Sequence, residues 1–576
     1  MAEPSAPPAQ PAGGKSKMWI AIIAIVVVAL IAVAAFIVLQ VSVPRKYQLE
    51  LWYNNDGHYG DTEAALAQTL QNSIQTCGKV QVTLKSDPWA VYKQNWANQR
   101  MPLFLLGWYP DYFDSDNYVS PFLTTSGAKG LGSYYKNTTV EQWISEEATT
   151  IDPAVRADRF AKIQNALADH VPYVPLYTTA AQVAYVNAVQ NVELHPVTFK
   201  WFIVNKPGAT QLTVSTSDKI ISLDPASAYD FMSIEVINQV FDTLLVYDWK
   251  NGTLVPGLAT EVPTFANGGI SPNGRNYTFH LKPGITFHNG DQLNSTVVKA
   301  SIDRAMRLDL AGSAAYLLYD ASVSALTPDS KANNSAPGVI ETPNAQTIVF
   351  HLFQPFYFFN YVMAFSVAAP VPLSYSQTGE QPSTVGNVIG TGPYRLTQHS
   401  ANTLVELTAV SNYYNANLYA SAGIPGIPIM QKVNINIRAT ATALKQDIET
   451  KTVDVVFRTL TPTDLTDLVN RQQQLGITVK RGSGPQIRYL VFNVNKIPDV
   501  RVRQAIAYSV DRGAINTIVF NGQAAPLYSM VPSAMPYSVP VFQSRYGDAK
   551  CNEANALIAQ LGFAAQFHGE LLARDV

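Results

Sequence analysis

The sequence predicts an α/β protein built from at least two packed units and preceded by one long apolar segment. The chain has 576 residues, which is too many for a single small core. Segments that alternate like strands are followed by segments with helical spacing, an order typical of α/β architecture. The hydrophobic fraction of 47% is that of a chain able to bury a core. Most of the chain is therefore expected to fold.

The apolar segment runs from Met18 to Val41 and contains no charged residue. A stretch of about 20 apolar residues is long enough to cross a bilayer as a helix. It also exceeds the roughly 7 to 15 apolar residues of a cleavable signal peptide. We therefore expect residues 18–41 to be a membrane anchor behind a Pro/Ala-rich tail at residues 1–17. Basic residues flank both ends, so charge alone leaves the orientation open.

Charge and motif content exclude several classes of function. Forty Lys and Arg residues against 42 Asp and Glu give a net charge of -2, which supplies no basic field for a nucleic-acid backbone. The sequence has no Gly-x-Ser-x-Gly elbow, no His-Glu-x-x-His and no complete phosphate loop. We therefore predict no nucleic-acid partner, no enzymatic activity and no cofactor.

Strands and helices alternate in the first part of the chain after the apolar segment. Strands are predicted at 47–53, 80–84 and 102–108, and helices at 61–74, 89–99 and 155–170. Asp61 is placed to cap the first of these helices, and Pro172 prevents the last from continuing. A linker is expected near 205–210, and short strands, turns and helices recur from Gln211 onward.

The two cysteines, Cys77 and Cys551, are too few for a disulfide framework or a cysteine metal site. They could form one disulfide outside the cell or remain two buried thiols, and the sequence leaves both alternatives open. Five Asn-x-Ser/Thr triplets are compatible with a glycosylated exterior domain. They begin at Asn137, Asn251, Asn276, Asn294 and Asn333.

Several segments downstream of Gln211 carry a long and specific pattern. They are YTFHLKPGITFHNGDQLNSTVVKASIDRAM from Tyr277, YLVFNVNKIPDVRVRQAIAYSVDR from Tyr489, KVNINIRATATALKQDIETKTVDVV from Lys432, Leu223-Asp224-Pro225 and Gly390-Thr391-Gly392-Pro393-Tyr394. Together they resemble the extracellular solute-binding proteins of family 5, the oligopeptide and dipeptide type that serves ABC transporters. The resemblance covers nearly all of residues 211–563. It implies a two-lobe periplasmic-binding-protein-like fold of type II, in the large peptide-binding class with an extra subdomain.

Elements that this family places at its carboxyl end stand upstream in this chain. The segments of this chain that resemble those elements are LELWYNNDGHYGDTEAALAQTLQNSI from Leu49, DPWAVYKQNWANQ from Asp87, LFLLGWYPDYFDSDNY from Leu103 and VPYVPLYTT from Val171. The chain is therefore interpreted as a circular permutation of the family. Such rewiring is physically reasonable because the termini of a compact domain often lie close together.

The permuted order implies the following organisation. The amino-side lobe and extra subdomain occupy 211–486, completed by strands at 190–204, and the carboxy-side lobe combines 47–189 with 487–563. Residues 205–210 link the family's former ends, and the tail at 564–576 has no expected counterpart.

Asp111 occupies the position whose carboxylate, in peptide-binding relatives, meets the α-ammonium group of the ligand. A carboxylate on a loop after a strand can project into a cleft, where a buried ammonium group needs such a partner. Trp108, Tyr109 and Tyr112 are expected to supply apolar walls and hydroxyl groups. The alternative is that Asp111 caps a turn and that the aromatic residues belong to the core.

His58 matches a position where relatives place a basic group near the ligand's carboxylate. The helix N-terminus beside it also favours an anion. Tyr53 is expected to line the same edge of the site. The alternative for His58 is a solvated loop residue.

The apolar segment predicts a single-pass membrane protein, and the resemblance implies that its binding domain lies on the extracellular face. It would capture di- or oligopeptides between two lobes and deliver them to the permease and ATPase subunits of an ABC importer. The same fold could instead bind an oligosaccharide, a nickel chelate or haem. A protein of another class, a solute sensor or surface interaction protein without transport, remains the second alternative.

Overall fold

The computed structural model describes residues 46–561, apart from 196, 251, 311, 321–339 and 353. Several predictions lie outside these residues: the anchor at 18–41, the tails at 1–17 and 564–576, and the triplets at Asn251 and Asn333. Within the described residues, no helix is long and apolar enough to cross a membrane.

The strands follow one another from the beginning of the described chain to residue 526. They are β1 Tyr47–Asn54, β2 Val80–Asp87, β3 Leu103–Trp108, β4 Tyr173–Val186, β5 Gln211–Thr216, β6 Leu245–Tyr247, β7 Leu254–Pro256, β8 Asn276–His280, β9 Ile340–Asn344, β10 Thr347–His351, β11 Tyr394–Ser400, β12 Leu404–Ala409, β13 Lys432–Ile437, β14 Val455–Phe457, β15 Ile477–Phe492 and β16 Ala525–Pro526.

The helices lie between these strands and after the last of them. They are α1 Glu63–Thr76, α2 Trp89–Ala97, α3 Ser120–Leu123, α4 Thr125–Gly130, α5 Thr138–Thr149, α6 Pro153–His170, α7 Phe231–Val240, α8 Ser295–Leu308, α9 Tyr316–Asp320, α10 Phe359–Val362, α11 Ala441–Glu449, α12 Pro462–Leu475, α13 Val500–Ser509, α14 Arg512–Ala514, α15 Val541–Arg545 and α16 Cys551–Ala559. The mixture of helices and strands confirms the predicted α/β class.

One sheet of eleven strands runs through the described chain in the order β11-β12-β13-β5-β14-β4-β15-β3-β1-β2, with β16 beside β4. Strands β4 and β15 lie in the middle and pair antiparallel along almost their whole length. The pairing breaks between Ser483 and Ile487, which divides the sheet into two halves. These two long strands therefore carry the chain across the middle of the molecule.

Buried apolar residues form separate cores on either side of this break. The first unit, residues 47–177 and 487–561, has its core beneath β1, β3 and helices α1 and α6. The second unit, residues 183–475, contains one core beneath β5 and β11 to β14. A further core of the second unit lies around β8 to β10. The molecule is therefore divided into two sheet-centred units, the second with an additional subdomain.

The first unit is assembled from two segments that are distant in sequence. Strand β3 pairs with β15 so that Leu106 lies opposite Tyr489, and Cys77 forms a disulfide with Cys551. The two ends of the unit also meet. Arg501 donates a hydrogen bond to the carbonyl oxygen of Gln560 (3.2 Å), while burial and then the charge of Asp499 raise the pKa of Tyr47.

The prediction of strands at 190–204 is wrong. This stretch contains an isolated bridge between Gln190 and Asn205 and a short 3-10 turn at Trp201–Ile203. Consecutive residues from Trp201 to Val204 are all buried, whereas a half-buried strand buries alternate residues. The segment is therefore irregular backbone held in the core by successive apolar side chains.

Most predicted boundaries agree with the structure to within a few residues, but the capping role of Asp61 is wrong. Helix α1 begins at Glu63 and its N-cap residue is Thr62, whose side chain makes no capping hydrogen bond. The side chain of Glu63, the first helical residue, forms an ion pair with Arg488.

Candidate functional site

Asp111 lies on the loop after β3 and is only 2% exposed. Its carboxylate accepts hydrogen bonds from the hydroxyl groups of Tyr229 (2.6 Å) and Tyr316 (2.5 Å). The side-chain amide of Asn117 donates a third (3.2 Å), and Asn117 Oδ1 accepts the backbone N–H of Asp111 (2.9 Å). All of these donors are neutral.

The charge of this carboxylate is uncompensated in the structure. Burial raises the pKa of Asp111, and the donors from Tyr229, Tyr316 and Asn117 offset part of the rise. No ion pair between described residues includes Asp111, and no charged group contributes to its pKa shift. A buried carboxylate without a cation is costly, so this position would be stabilised by a cation from outside the chain.

The hydrogen bonds to Asp111 also join the two units. Asp111 belongs to the first unit, whereas Tyr229 precedes α7 and Tyr316 begins α9 in the second. The two tyrosine hydroxyl groups lie 2.8 Å apart. The carboxylate is therefore enclosed at the interface between the units and is not a turn cap.

Trp108 and Tyr109 support the same loop. The indole N–H of Trp108 donates to Asn117 Oδ1 (3.0 Å), so it fixes the residue that holds Asp111. Tyr109 reaches the second unit, where its hydroxyl donates to the carbonyl oxygen of Val197 (3.2 Å) and its ring packs edge-on against Phe231 (5.1 Å). Both residues lie next to the interface, and both are only partly buried.

Tyr112 is more deeply packed than the other aromatic residues of this loop. It is 4% exposed, its ring stacks on Phe358 (4.7 Å) and its hydroxyl donates to Asp116 (2.5 Å). Its side chain thus belongs to the core of the second unit's subdomain. In this structure Tyr112 holds the two units together.

His58 and Tyr53 lie at the amino end of the first unit. His58 as a whole residue is exposed, but its imidazole stacks on Trp89 with ring centroids 3.7 Å apart. Partial burial of the imidazole, followed by the positive charge of Arg488, lowers the pKa of His58 to about 4. A neutral His58 can still donate a hydrogen bond but brings no charge at neutral pH. Tyr53 is the penultimate residue of β1 and packs partly buried against the first core.

Arg488 is a candidate that sequence reasoning missed. It lies on β15 directly opposite Gly107 of β3 and is 1% exposed. Its guanidinium forms an ion pair with Glu63 and stacks against the ring of Tyr59 (3.7 Å). The signal in the sequence was an arginine within the apolar run Ile487 to Phe492, since arginine is rarely buried without a partner.

A cavity of about 810 Å³ lies where the long strands cross between the units. It is lined by Thr178, Thr179, Glu193, Leu194, Val479, Lys480, Arg481, Gly482, Gly522, Gln523, Ala524 and Ala525. Lys480 and Glu193 form an ion pair on its wall (3.3 Å). None of the sequence-predicted site residues lines this cavity. The structure therefore brings Asp111 and its neighbours together but places them apart from this cavity.

Residues 253–574 match the model of bacterial extracellular solute-binding proteins, family 5 Middle. This match spans more than half of the chain. The chain belongs to this family. The match includes residues 564–574 of the tail that the sequence analysis left unassigned.

Curated relatives share about a quarter of the aligned residues. A glutathione-binding protein, GsiB of Pectobacterium atrosepticum, is 27% identical over 367 residues, which are 62% of this chain and 62% of the relative. The GsiB protein of Escherichia coli O1:K1 / APEC is 26% identical over 368 residues, or 62% and 63% of the two chains. The family 5 chain thus spans less than two thirds of the length of these relatives.

Two solved structures are similar to part of this chain. The murein tripeptide binding protein MppA of Escherichia coli is 19% identical, with 62% of this chain and 68% of that chain covered at a TM-score of 0.46. OppA of Burkholderia pseudomallei is 18% identical, with 63% and 68% covered at the same TM-score.

Membership of family 5 decides the coarse classification. The α/β body with two units is the two-lobe periplasmic-binding-protein-like fold that the sequence predicted. Proteins of this family bind solutes outside the cytoplasm and are not enzymes, which agrees with the absence of catalytic motifs from the sequence.

Proposed function

We propose that this protein captures a short peptide between its two units and delivers it to an ABC importer. The observation that carries this proposal is the buried carboxylate of Asp111, which is held by neutral donors from both units. The α-ammonium group of a peptide is the cation that such a site lacks. The curated relatives support a ligand of this kind, since glutathione is a short peptide with one ammonium group and two carboxylates.

Strands β4 and β15 cross between the two units, so rotation about these strands would open and close the interface that encloses Asp111. Capture would then stabilise a closed form that importer subunits recognise.

Membrane attachment through residues 18–41 and glycosylation belong to the same proposal. A tethered binding protein would meet its ligand close to the permease and ATPase subunits. Three of the Asn-x-Ser/Thr triplets lie in the described chain, and there Asn137, Asn276 and Asn294 use Oδ1 in hydrogen bonds. A glycan is attached through Nδ2, so these bonds are compatible with modification.

The circular permutation is supported by the meeting of the two ends of the first unit. Tyr47 and Gln560 both lie beside the Asp499 and Arg501 pair, and a disulfide joins the same segments. In the order of the family, a short connection between residues 561 and 47 would make the first unit one continuous segment.

This proposal predicts that a rejoined chain keeps its function. A variant in which residues 211–561 are followed by a short Gly/Ser linker and then residues 47–204 should fold and bind peptide with the affinity of the natural order, within about threefold, because every packed contact is retained. Circular dichroism and calorimetric titration would measure both properties. A matched control with the break inside β4 should fail to fold, and failure of the rejoined chain alone would contradict the permutation.

The proposed function predicts a specific pH dependence of peptide binding. Burial raises the pKa of Asp111 in the free protein, so a fall in pH through this raised value neutralises the carboxylate. Because the pKa of Asp111 is higher in the folded protein than in the unfolded chain, protonation of Asp111 stabilises the fold. This contribution is fully present below the pKa of the unfolded chain and is lost as the pH rises through the pKa of the folded protein. An ammonium ligand has the opposite preference and requires the ionised form. Peptide affinity should therefore fall as the pH is lowered into the acidic range.

Titration calorimetry of a tripeptide panel between pH 4 and pH 8 would test this expectation. N-acetylated tripeptides, which carry no ammonium group, are the control and should bind weakly at every pH. Mass spectrometry of ligand carried through gentle purification would identify the natural solute. Recovery of a sugar or a metal chelate, with no binding of peptides, would contradict the proposal.

A further inference from the structure

Three carboxyl groups and one guanidinium are buried together where the first unit meets the subdomain. They belong to Asp114, Asp116, Glu147 and Arg156, and none of these residues is more than 7% exposed. Arg156 donates to both carboxyl oxygens of Asp114 (3.0 and 2.7 Å) and binds Glu147 Oε2 through Nη2 (2.8 Å) and Nε (3.1 Å). If all three carboxyl groups were ionised, an excess of two negative charges would be buried, which is costly.

Glu147 and Asp116 are placed to share a proton. The carboxylate of Asp116 accepts hydrogen bonds from the hydroxyl groups of Tyr112 (2.5 Å) and Ser120. Glu147 Oε1 is buried, and no donor from the described residues reaches it, but Asp116 lies beside it within hydrogen-bonding reach. Two adjacent buried carboxyl groups cannot both ionise. Burial, followed by the charge of Asp116, accordingly raises the pKa of Glu147.

Two neighbouring aromatic residues of the second unit cover this cluster. The ring of Tyr357 lies 4.2 Å from Arg156 Cζ, and the backbone N–H of Tyr357 donates to the carbonyl oxygen of Ala148 (2.9 Å). The ring of Phe358 stacks on Tyr112 with centroids 4.7 Å apart. Separation of the two units would therefore uncover one partner of each carboxyl group in the pair.

The other titratable side chains around the cluster are tyrosines. Besides Tyr112 and Tyr357, they are Tyr247, Tyr361 and Tyr537. Burial raises the pKa of each of these three, and that of Tyr361 to about 12, so they are neutral near pH 7. The charges that act on Glu147 are those of Asp116, Arg156 and Asp114. A proton on Glu147 is thus the simplest compensation for the excess negative charge.

We propose that residues 357–358 and the buried carboxyl cluster form a proton-dependent latch that holds the two units closed. This inference rests on the proposed function, which requires closure around a peptide, and adds a control of that closure by pH. In the closed form the proton stays between Glu147 and Asp116. When the units separate, water hydrates the cluster, Glu147 ionises and its proton leaves to the solvent.

The sign of the pH effect follows from this exchange. Because the pKa of Glu147 is higher in the closed form than in the open form, protonation stabilises the closed form. This contribution is fully present below the pKa of the open form and is lost as the pH rises through the pKa of the closed form. The latch therefore weakens peptide binding on the alkaline side, whereas ionisation of Asp111 limits it on the acidic side.

The test replaces Glu147 by glutamine in the full-length protein. Glutamine keeps the shape of the side chain, and its amide can donate to Asp116 while its oxygen accepts from Arg156, as protonated Glu147 would. Titration calorimetry with trialanine at pH 7, in buffers of different ionisation enthalpy, would count the protons exchanged on binding. Wild type should take up about half to one proton more than Glu147→Gln.

The same two proteins should also differ in the pH dependence of their affinity. Between pH 7 and pH 9 the affinity of Glu147→Gln relative to wild type should rise about tenfold, as a change of one pKa unit implies. The ammonium group of trialanine titrates in both experiments, so its effect cancels in this ratio.

Tyr357→Ala tests the cover of the latch. It should weaken trialanine binding about tenfold at pH 7 and reduce proton uptake, because water then reaches Arg156 in the closed form. Phe265→Ala is the matched control, since Phe265 also lies in the second unit and is 40% exposed, against 39% for Tyr357. This control should change trialanine affinity by less than about twofold and leave proton uptake unchanged.

The outcomes distinguish this inference from the proposed function. If wild type and Glu147→Gln bind trialanine with the same proton exchange and the same pH profile, the latch is overturned and the proposed function stands. Equal losses of affinity in Tyr357→Ala and Phe265→Ala would also overturn the latch. If wild type binds neither trialanine nor any other tripeptide of the panel, the proposed function fails and this inference fails with it.

Discussion

The Asp111→Asn variant is expected to bind an unblocked tripeptide about 100- to 1,000-fold more weakly than wild type. Removing one partner of a buried charge pair costs 2–5 kcal/mol or more, because the ammonium group would remain buried without an anion. Asparagine preserves the shape of the side chain and can still interact with Tyr229 and Tyr316. The loss should therefore come from the ligand charge and not from unfolding. Calorimetric titration of both proteins would measure it.

Asp242 provides a matched control for this substitution. It is 6% exposed, lies in the second unit and accepts hydrogen bonds from the hydroxyl groups of Tyr413 (3.0 Å) and Tyr414 (2.8 Å). Asp242→Asn removes a similar buried charge away from the interface of the two units. It should change peptide affinity by less than about threefold. Equal losses in the two variants would show that Asp111 acts only through stability.

Replacing Cys77 and Cys551 together by serine is expected to lower the free energy of unfolding by roughly 2–5 kcal/mol. The disulfide joins residues 474 positions apart, so its loss releases a very long loop in the unfolded chain. The same bond ties α1 to α16, where the two segments of the first unit meet. Urea unfolding of the oxidised wild type and the double variant would give the difference.

Reductant supplies the control for this prediction. Wild type treated with reductant should approach the stability of the double variant, and the double variant should not respond to reductant. Peptide affinity should change little in either case, because Cys77 and Cys551 lie in a small cluster with Ala505 and Ala554, away from Asp111. Equal stability of oxidised wild type and the double variant would contradict the expected role.

Local patterns were sufficient for elements whose structure depends on their own residues. Strand β1 and helix α6 follow from alternation and from helical spacing of apolar residues, and Asn294 caps α8 where the sequence placed a helix start. These features depend on neighbours within a few positions. The same reasoning failed at 190–204, where burial of successive residues, and not strand pairing, determines the backbone.

By itself, the sequence determined the α/β class and the family, because these are recorded in local periodicity and in long specific motifs, and it singled out Asp111 as a candidate ligand-binding residue. Only the tertiary structure decided what surrounds that carboxylate. Its tyrosine partners lie 118 and 205 residues away in the chain, and Arg488 meets Glu63 across 425 residues. Contacts between residues so far apart in sequence produce no local residue pattern. They form only when distant segments pack together, as β3 does beside β15.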